Sequence, residues 1–163
     1  VDAKQEVFPV RIALRGREIW LGWVSAESGN YFVQDQGAVV WAPTREGLLS
    51  ELSRAGGGRV RQDDTLLDLD GAISALRDGG FVDADLLVEL WNILSDFYNT
   101  VHMPRVALFS PEDVATYDAL FANCGIGNAL ELEPTPLGEH HLQTVFKVME
   151  RGSAMIAGRT FGM

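Results

Sequence analysis

The residues of this chain that could carry chemistry are three histidines, His102, His140 and His141, one cysteine, Cys124, and carboxylates crowded between Gln62 and Pro104. The adjacent His140 and His141 follow Glu139, and neighbours on a helix point about 100° apart. Zinc hydrolase helices instead place two His at i and i+4 so that both imidazoles face one ion, and neither that pattern nor a paired-cysteine motif occurs here. The pair reads as a solvated helix start. Leu66-Leu67-Asp68-Leu69-Asp70-Gly71 echoes the centre of a calcium loop, but in that register loop position 1 falls on Leu66 and position 12 on Arg77, where the cation needs carboxylates. Gly56-Gly57-Gly58-Arg59 shares only its glycines with a phosphate loop, since no Lys-Ser or Lys-Thr follows. It reads as a flexible connection. Cys124 lies near a helix end with no positive N-terminal dipole to lower its pKa, so a small buried thiol is expected. Acid pairs such as Asp85 with Glu89, or Glu89 with Asp96, could serve as glycosidase carboxylates, but those sites draw the two from separate elements across a cleft. A solvated helical face accounts for them better. No catalytic residue, metal or cofactor is expected.

The distribution of acid says more than any motif. Residues 62–104 hold nine Asp or Glu and one base, Arg77, a net of −8, against −10 for the whole chain. Such a local field attracts basic surfaces and repels nucleic acid and anionic lipid. The basic tips Arg15, Arg17, Arg59 and Arg61 make a poor nucleic-acid footprint at a sequence pI near 4.6. No apolar run approaches the roughly 18 residues of a membrane span, and VDAKQEVF lacks a basic region leading into an apolar core. With one cysteine, the expectation is a cytoplasmic protein, off the membrane and off nucleic acid.

The elements that must position these side chains suggest an α+β fold, one domain over residues 1–163, with a β-meander in 1–42 and a mainly helical remainder. Val7 to Leu14 and Glu18 to Val24 flank Arg15-Gly16-Arg17 as a hairpin, and Tyr31 to Val33 and Val39 to Ala42 form a second pair around Gln34-Asp35-Gln36-Gly37. That predicts an N-terminal antiparallel sheet of about four strands, packed against three or four helices. A short helix follows Thr44, and another runs from Ala72 to Arg77. The central helix spans Asp83 to Thr100, with Leu86, Leu90, Ile93, Leu94 and Phe97 on one face and Asp85, Glu89, Asn92, Asp96 and Asn99 on the other. Ser110-Pro111-Glu112-Asp113 starts a helix to about Asn123, with Ser at the N-cap and acids in the first turn. Ala129 to Glu133 reads as extended. A last helix from about Glu139 should bury Leu142, Val145, Phe146 and Met149. Trp20, Leu120 and Phe121 join the expected core. Trp20 and Trp23 have opposite parity on one strand, so only one need be core, leaving the other free for a partner.

Leu87-Val88-Glu89-Leu90-Trp91-Asn92-Ile93-Leu94-Ser95-Asp96 and Tyr117-Asp118-Ala119-Leu120-Phe121 leading into Pro134-Thr135-Pro136-Leu137-Gly138-Glu139 resemble small acidic bacterial proteins, largely uncharacterised, over about residues 83–150. Some of these are similar to immunity proteins that neutralise antibacterial toxins. The resemblance implies a non-enzymatic inhibitor with a basic protein partner, and transfers no toxin-contacting residue. The acid patch puts the contacts on Asp63, Asp64, Asp68, Asp85, Glu89 and Asp96. Two rivals stand beside it. One is a small enzyme or ligand-binding domain with a pocket between sheet and helices, using His102, Tyr98 or Cys124. The other is a homo-oligomeric structural subunit.

Overall fold

The computed structural model describes residues 5–101 and 109–162. Strands β1 (Glu6–Leu14) and β2 (Arg17–Val24) pair antiparallel from Val7↔Val24 to Leu14↔Arg17. The turn between them puts both Arg15 and Gly16 at positive φ, 50° and 72°, as a two-residue hairpin requires. β3 (Tyr31–Phe32) pairs with β2, β4 (Gln34–Asp35) and β5 (Ala38–Val39) form a small separate ribbon, and β6 (Trp41–Ala42) returns to β2. Thr44 Oγ1 then accepts the Gly47 N–H to start α1 (Arg45–Arg54).

The sheet is mixed. Two short strands, β7 (Arg59–Val60) and β8 (Thr65–Asp68), add parallel to β1 through Glu6↔Arg59 and Val10↔Thr65, so β1 lies inside the sheet with β2 on its other side. The expected antiparallel part is there, and the parallel part comes from residues that looked like a linker and an acidic run. The triple glycine is correspondingly ordered. Gly57 donates to Leu52 O at 2.8 Å, and a Cβ there would lie 2.5 Å from that same oxygen, so the glycine closes α1 and delivers the chain to β7.

Helices α2 (Leu69–Arg77), α3 (Ala84–Val101), α4 (Pro111–Ala122), α5 (Gly125–Ala129) and α6 (Glu139–Thr160) complete the α+β arrangement. Ser110 accepts the Asp113 N–H and Asp113 accepts the Ser110 N–H, a reciprocal capping box with Pro111 in the first turn. The stretch read as extended, Ala129 to Glu133, instead begins on the last residue of α5 and turns at Leu130 and Glu131, where Leu132 N–H reaches Gly127 O and Glu131 takes φ 57°.

Alternate side chains of the hairpin bury on opposite faces. Val10, Ile12, Leu14, Ile19 and Leu21 join α2, α3 and α6 in the larger core, while Val7, Trp20 and Val24 pack with Leu48 and Leu52 of α1. Leu90, Ile93, Leu94, Phe97, Leu120, Val145 and Met149 are buried as expected, whereas Phe121 and Phe146 sit at the margin. Leu142 is a correction: it is 39% exposed, one turn into α6 before that helix meets the core. Further along, Gly152 lets α6 close on α3, since a Cβ there would come within 2.5 Å of Leu94.

Candidate functional site

The larger core does not cover its whole sheet face. At the Phe8–Trp23 end, α3 runs past the strands with Asp85, Glu89, Asn92 and Asp96 along one wall, and a groove of about 730 Å³ remains. Its floor is Phe8, Pro9, Val10, Trp23 and Leu67 from the sheet, with Val88 and Ile93 from α3. Ile126 of α5, 60% exposed, forms one lip. Asp63, Asp85, Glu89 and Asp96 supply four carboxylates to the same walls.

Each acid reaches this place by a different device. Asp96 is half-buried and its Oδ2 accepts the Trp23 Nε1–H at 2.9 Å. Burial raises its pKa above the ordinary carboxylate value, against hydrogen bonds from Trp23 and Asn30 that favour the charged form. No ion pair to Asp96 or Glu89 exists among the described residues. Asp85 is tied down at Oδ1 by the Gly125 N–H, 2.8 Å, which fixes α5 and its Ile126 against α3. Asp63 pairs with Arg61 at 3.4 Å, and its pKa is lowered first by its own backbone N–H and then by that guanidinium. Glu89 is exposed on the α3 wall.

Asp64 is exposed and outside the groove. Asp68 is the N-cap of α2, its Oδ1 accepting the Gly71 N–H at 2.8 Å. The acid next along, Asp70, accepts Arg15 N–H and Gly16 N–H at 2.7 and 2.8 Å and so anchors the hairpin turn. The calcium-like run is therefore two structural acceptors in sequence. Tyr98 lies away from the groove, in a smaller apolar slot with Leu94, Val148 and Met155. Cys124 is buried at the groove wall, and Tyr117 beside it donates its hydroxyl to Asn92 Oδ1 at 2.9 Å. His141 Nδ1 accepts the Gly138 N–H at 3.0 Å, a helix-start role, with the His140 ring tilted against it, centroids 3.9 Å apart. His102 lies outside the described residues. Among the described residues no group of three or more His, Cys, Asp or Glu is placed to hold a metal. No helix is long and apolar enough to cross a membrane.

Phe8, Asn30 and Ile126 were missing from the sequence-based site. Trp23 was half-visible, because the strand parity that separates it from Trp20 is what turns it to the groove while Trp20 packs under α1.

No family model matches the chain, and no curated protein matches its sequence. Among solved structures it is similar to the C-terminal domain of SatS, crystallised in complex with bromine, with a TM-score of 0.50 over 94% of this chain and 91% of that one at 14% identity. A likeness at that identity concerns the fold, and it extends over nearly all of both chains.

Proposed function

We propose that this is a non-enzymatic protein-binding domain whose groove receives a basic, partly apolar segment of another protein. One observation carries the reading: Asp96 is drawn out of water at a groove with an apolar floor, at a cost to its ionised form, and no cation of the described chain repays that cost. Charges withdrawn from water are ordinarily paired, so a half-buried carboxylate with hydrogen bonds but no counter-ion, sharing a groove with three others, marks a place for an incoming cation. The apolar floor adds burial energy that an exposed acid patch alone would lack. In its most specific form the partner is a toxin, and the acidic walls compete with its anionic substrate for a basic cleft, gaining on-rate from the same field.

The test is capture of binding proteins at low salt with the wild type and with a triple variant, Asp63→Asn, Glu89→Gln and Asp96→Asn, followed by measurement of each purified partner's affinity. A basic partner bound by the wild type and lost by the triple variant supports the reading. Equal binding by both forms sinks it. The toxin form requires in addition that the partner's catalytic activity disappear in the complex. A rival is favoured by the groove's size, which falls within the range of small-molecule sites. A thermal shift from a small cationic ligand, with no protein partner captured, would establish that rival.

A further inference from the structure

Resting on the basic-partner reading, we propose that the groove reads arginine, with the Trp23 ring and the Asp96 carboxylate receiving a guanidinium from the partner segment beside a position that Arg61 of this chain already fills. Phe8 and Trp23 face each other across β1 and β2, their ring centroids 5.5 Å apart and edge to face. An acid accompanies each ring. On the Phe8 side, the Arg61 guanidinium lies 5.7 Å from the ring centroid and within 3.4 Å of both Asp63 Oδ1 and Glu6 Oε1. Phe8 and Asp63, which line the groove, are thus already engaged by an arginine of this chain that lies just outside the lining.

The Trp23 half also joins a ring to a carboxylate, with Asn30 as a further hydrogen-bond partner of Asp96 and no cation on either among the described residues. Trp23 Nε1–H holds Asp96 Oδ2, which orients the carboxylate beside the indole. A planar guanidinium can stack on an indole while donating to a carboxylate, a combination the compact ammonium of lysine matches poorly. Glu89 and Asp85 continue the acidic wall along α3, about 10 and 16 Å of helix rise from Asp96, and would take further basic side chains of the same segment. The apolar residues of the segment would meet Val88, Ile93 and Ile126. Arg61, paired with Asp63, would hold that carboxylate back from the incoming segment.

A synthetic peptide alternating arginine with leucine tests this against its lysine-for-arginine counterpart, with affinity read by calorimetry at low salt and the Trp23 indole N–H followed by NMR. The arginine peptide should bind about tenfold more tightly than the lysine peptide and move the Trp23 signal. Asp96→Asn keeps an acceptor for Trp23, removes the charge and should abolish most of that preference. Arg61→Ala should strengthen arginine-peptide binding by about threefold. Equal binding of the two peptides with the Trp23 signal unmoved overturns the arginine subsite and leaves the basic-partner reading in place. Failure of both peptides to bind even the Arg61→Ala protein overturns both.

Discussion

Asp113 at the start of α4 and Asp96 on α3 are both drawn out of bulk water, and their surroundings treat them in opposite ways. Asp113, with only 7% of its surface exposed, caps Ser110 and receives the Arg151 guanidinium at 3.0 Å. Burial pushes its pKa up, but the Arg151 hydrogen bond and charge and the Ser110 backbone N–H win, so its pKa is lowered overall. Asp96 has hydrogen bonds but no cation, burial wins, and its pKa is raised. The first carboxylate contributes to folding. The ionised form of the second is disfavoured by the fold, and in the proposed complex the partner would supply the counter-charge it lacks.

The contrast can be broken or sharpened by substitution. Asp113→Ala removes a capping box and leaves Arg151 without its partner, and should destabilise the protein by about 2–3 kcal/mol in chemical denaturation, leaving groove affinity unchanged. Asp96→Asn should do the reverse. It should weaken a basic ligand about tenfold, roughly 1.4 kcal/mol, while stability at neutral pH stays level or rises. Asp70→Ala strips two backbone N–H groups of the hairpin turn of their acceptor and should cost about 1 kcal/mol, again without affecting the groove. Asp64→Asn should change stability by under about 0.5 kcal/mol and affinity by less than about twofold.

Acidity separates the two carboxylates further. Asp113's lowered pKa means its contribution is present above the ordinary carboxylate value and is lost as pH falls through its own lower value. Asp96 has the opposite sign. The folded protein binds its proton more tightly than the unfolded chain, so stability falls as pH rises from the ordinary carboxylate value to Asp96's raised one. Subtracting the pH–stability profile of Asp96→Asn from that of the wild type should isolate this inverted step.

Local signals were legible in the sequence, and distant pairings were not. Ser110-Pro111-Glu112-Asp113 announced α4 down to its cap, because every group involved lies within four residues. The apolar spacing from Leu86 to Phe97 announced α3 for the same reason. β7 and β8 escaped notice because their partner, β1, lies more than fifty residues away and parallel pairing leaves no turn to read. The acid-rich segment was visible as composition, but composition counts Asp68 and Asp70 the same as Asp96. Only the fold shows that the first two bond to α2 and the hairpin turn while Asp63, Asp85, Glu89 and Asp96 share one groove. Trp23 marks the boundary between the two cases: its parity was readable, and its bond to Asp96 spans 73 residues.

The most direct test compares two charge-matched triple variants binding the arginine–leucine peptide across a salt series. One neutralises the groove with Asp63→Asn, Glu89→Gln and Asp96→Asn. The other neutralises exposed acids outside it with Asp64→Asn, Asp118→Asn and Glu133→Gln. If the groove is the site, the first should lose about a hundredfold in affinity at low salt together with most of its salt dependence, and the second should stay within about threefold of the wild type. Equal losses in the two variants would mean that the peptide senses only the overall negative field, and would contradict the groove as the binding site.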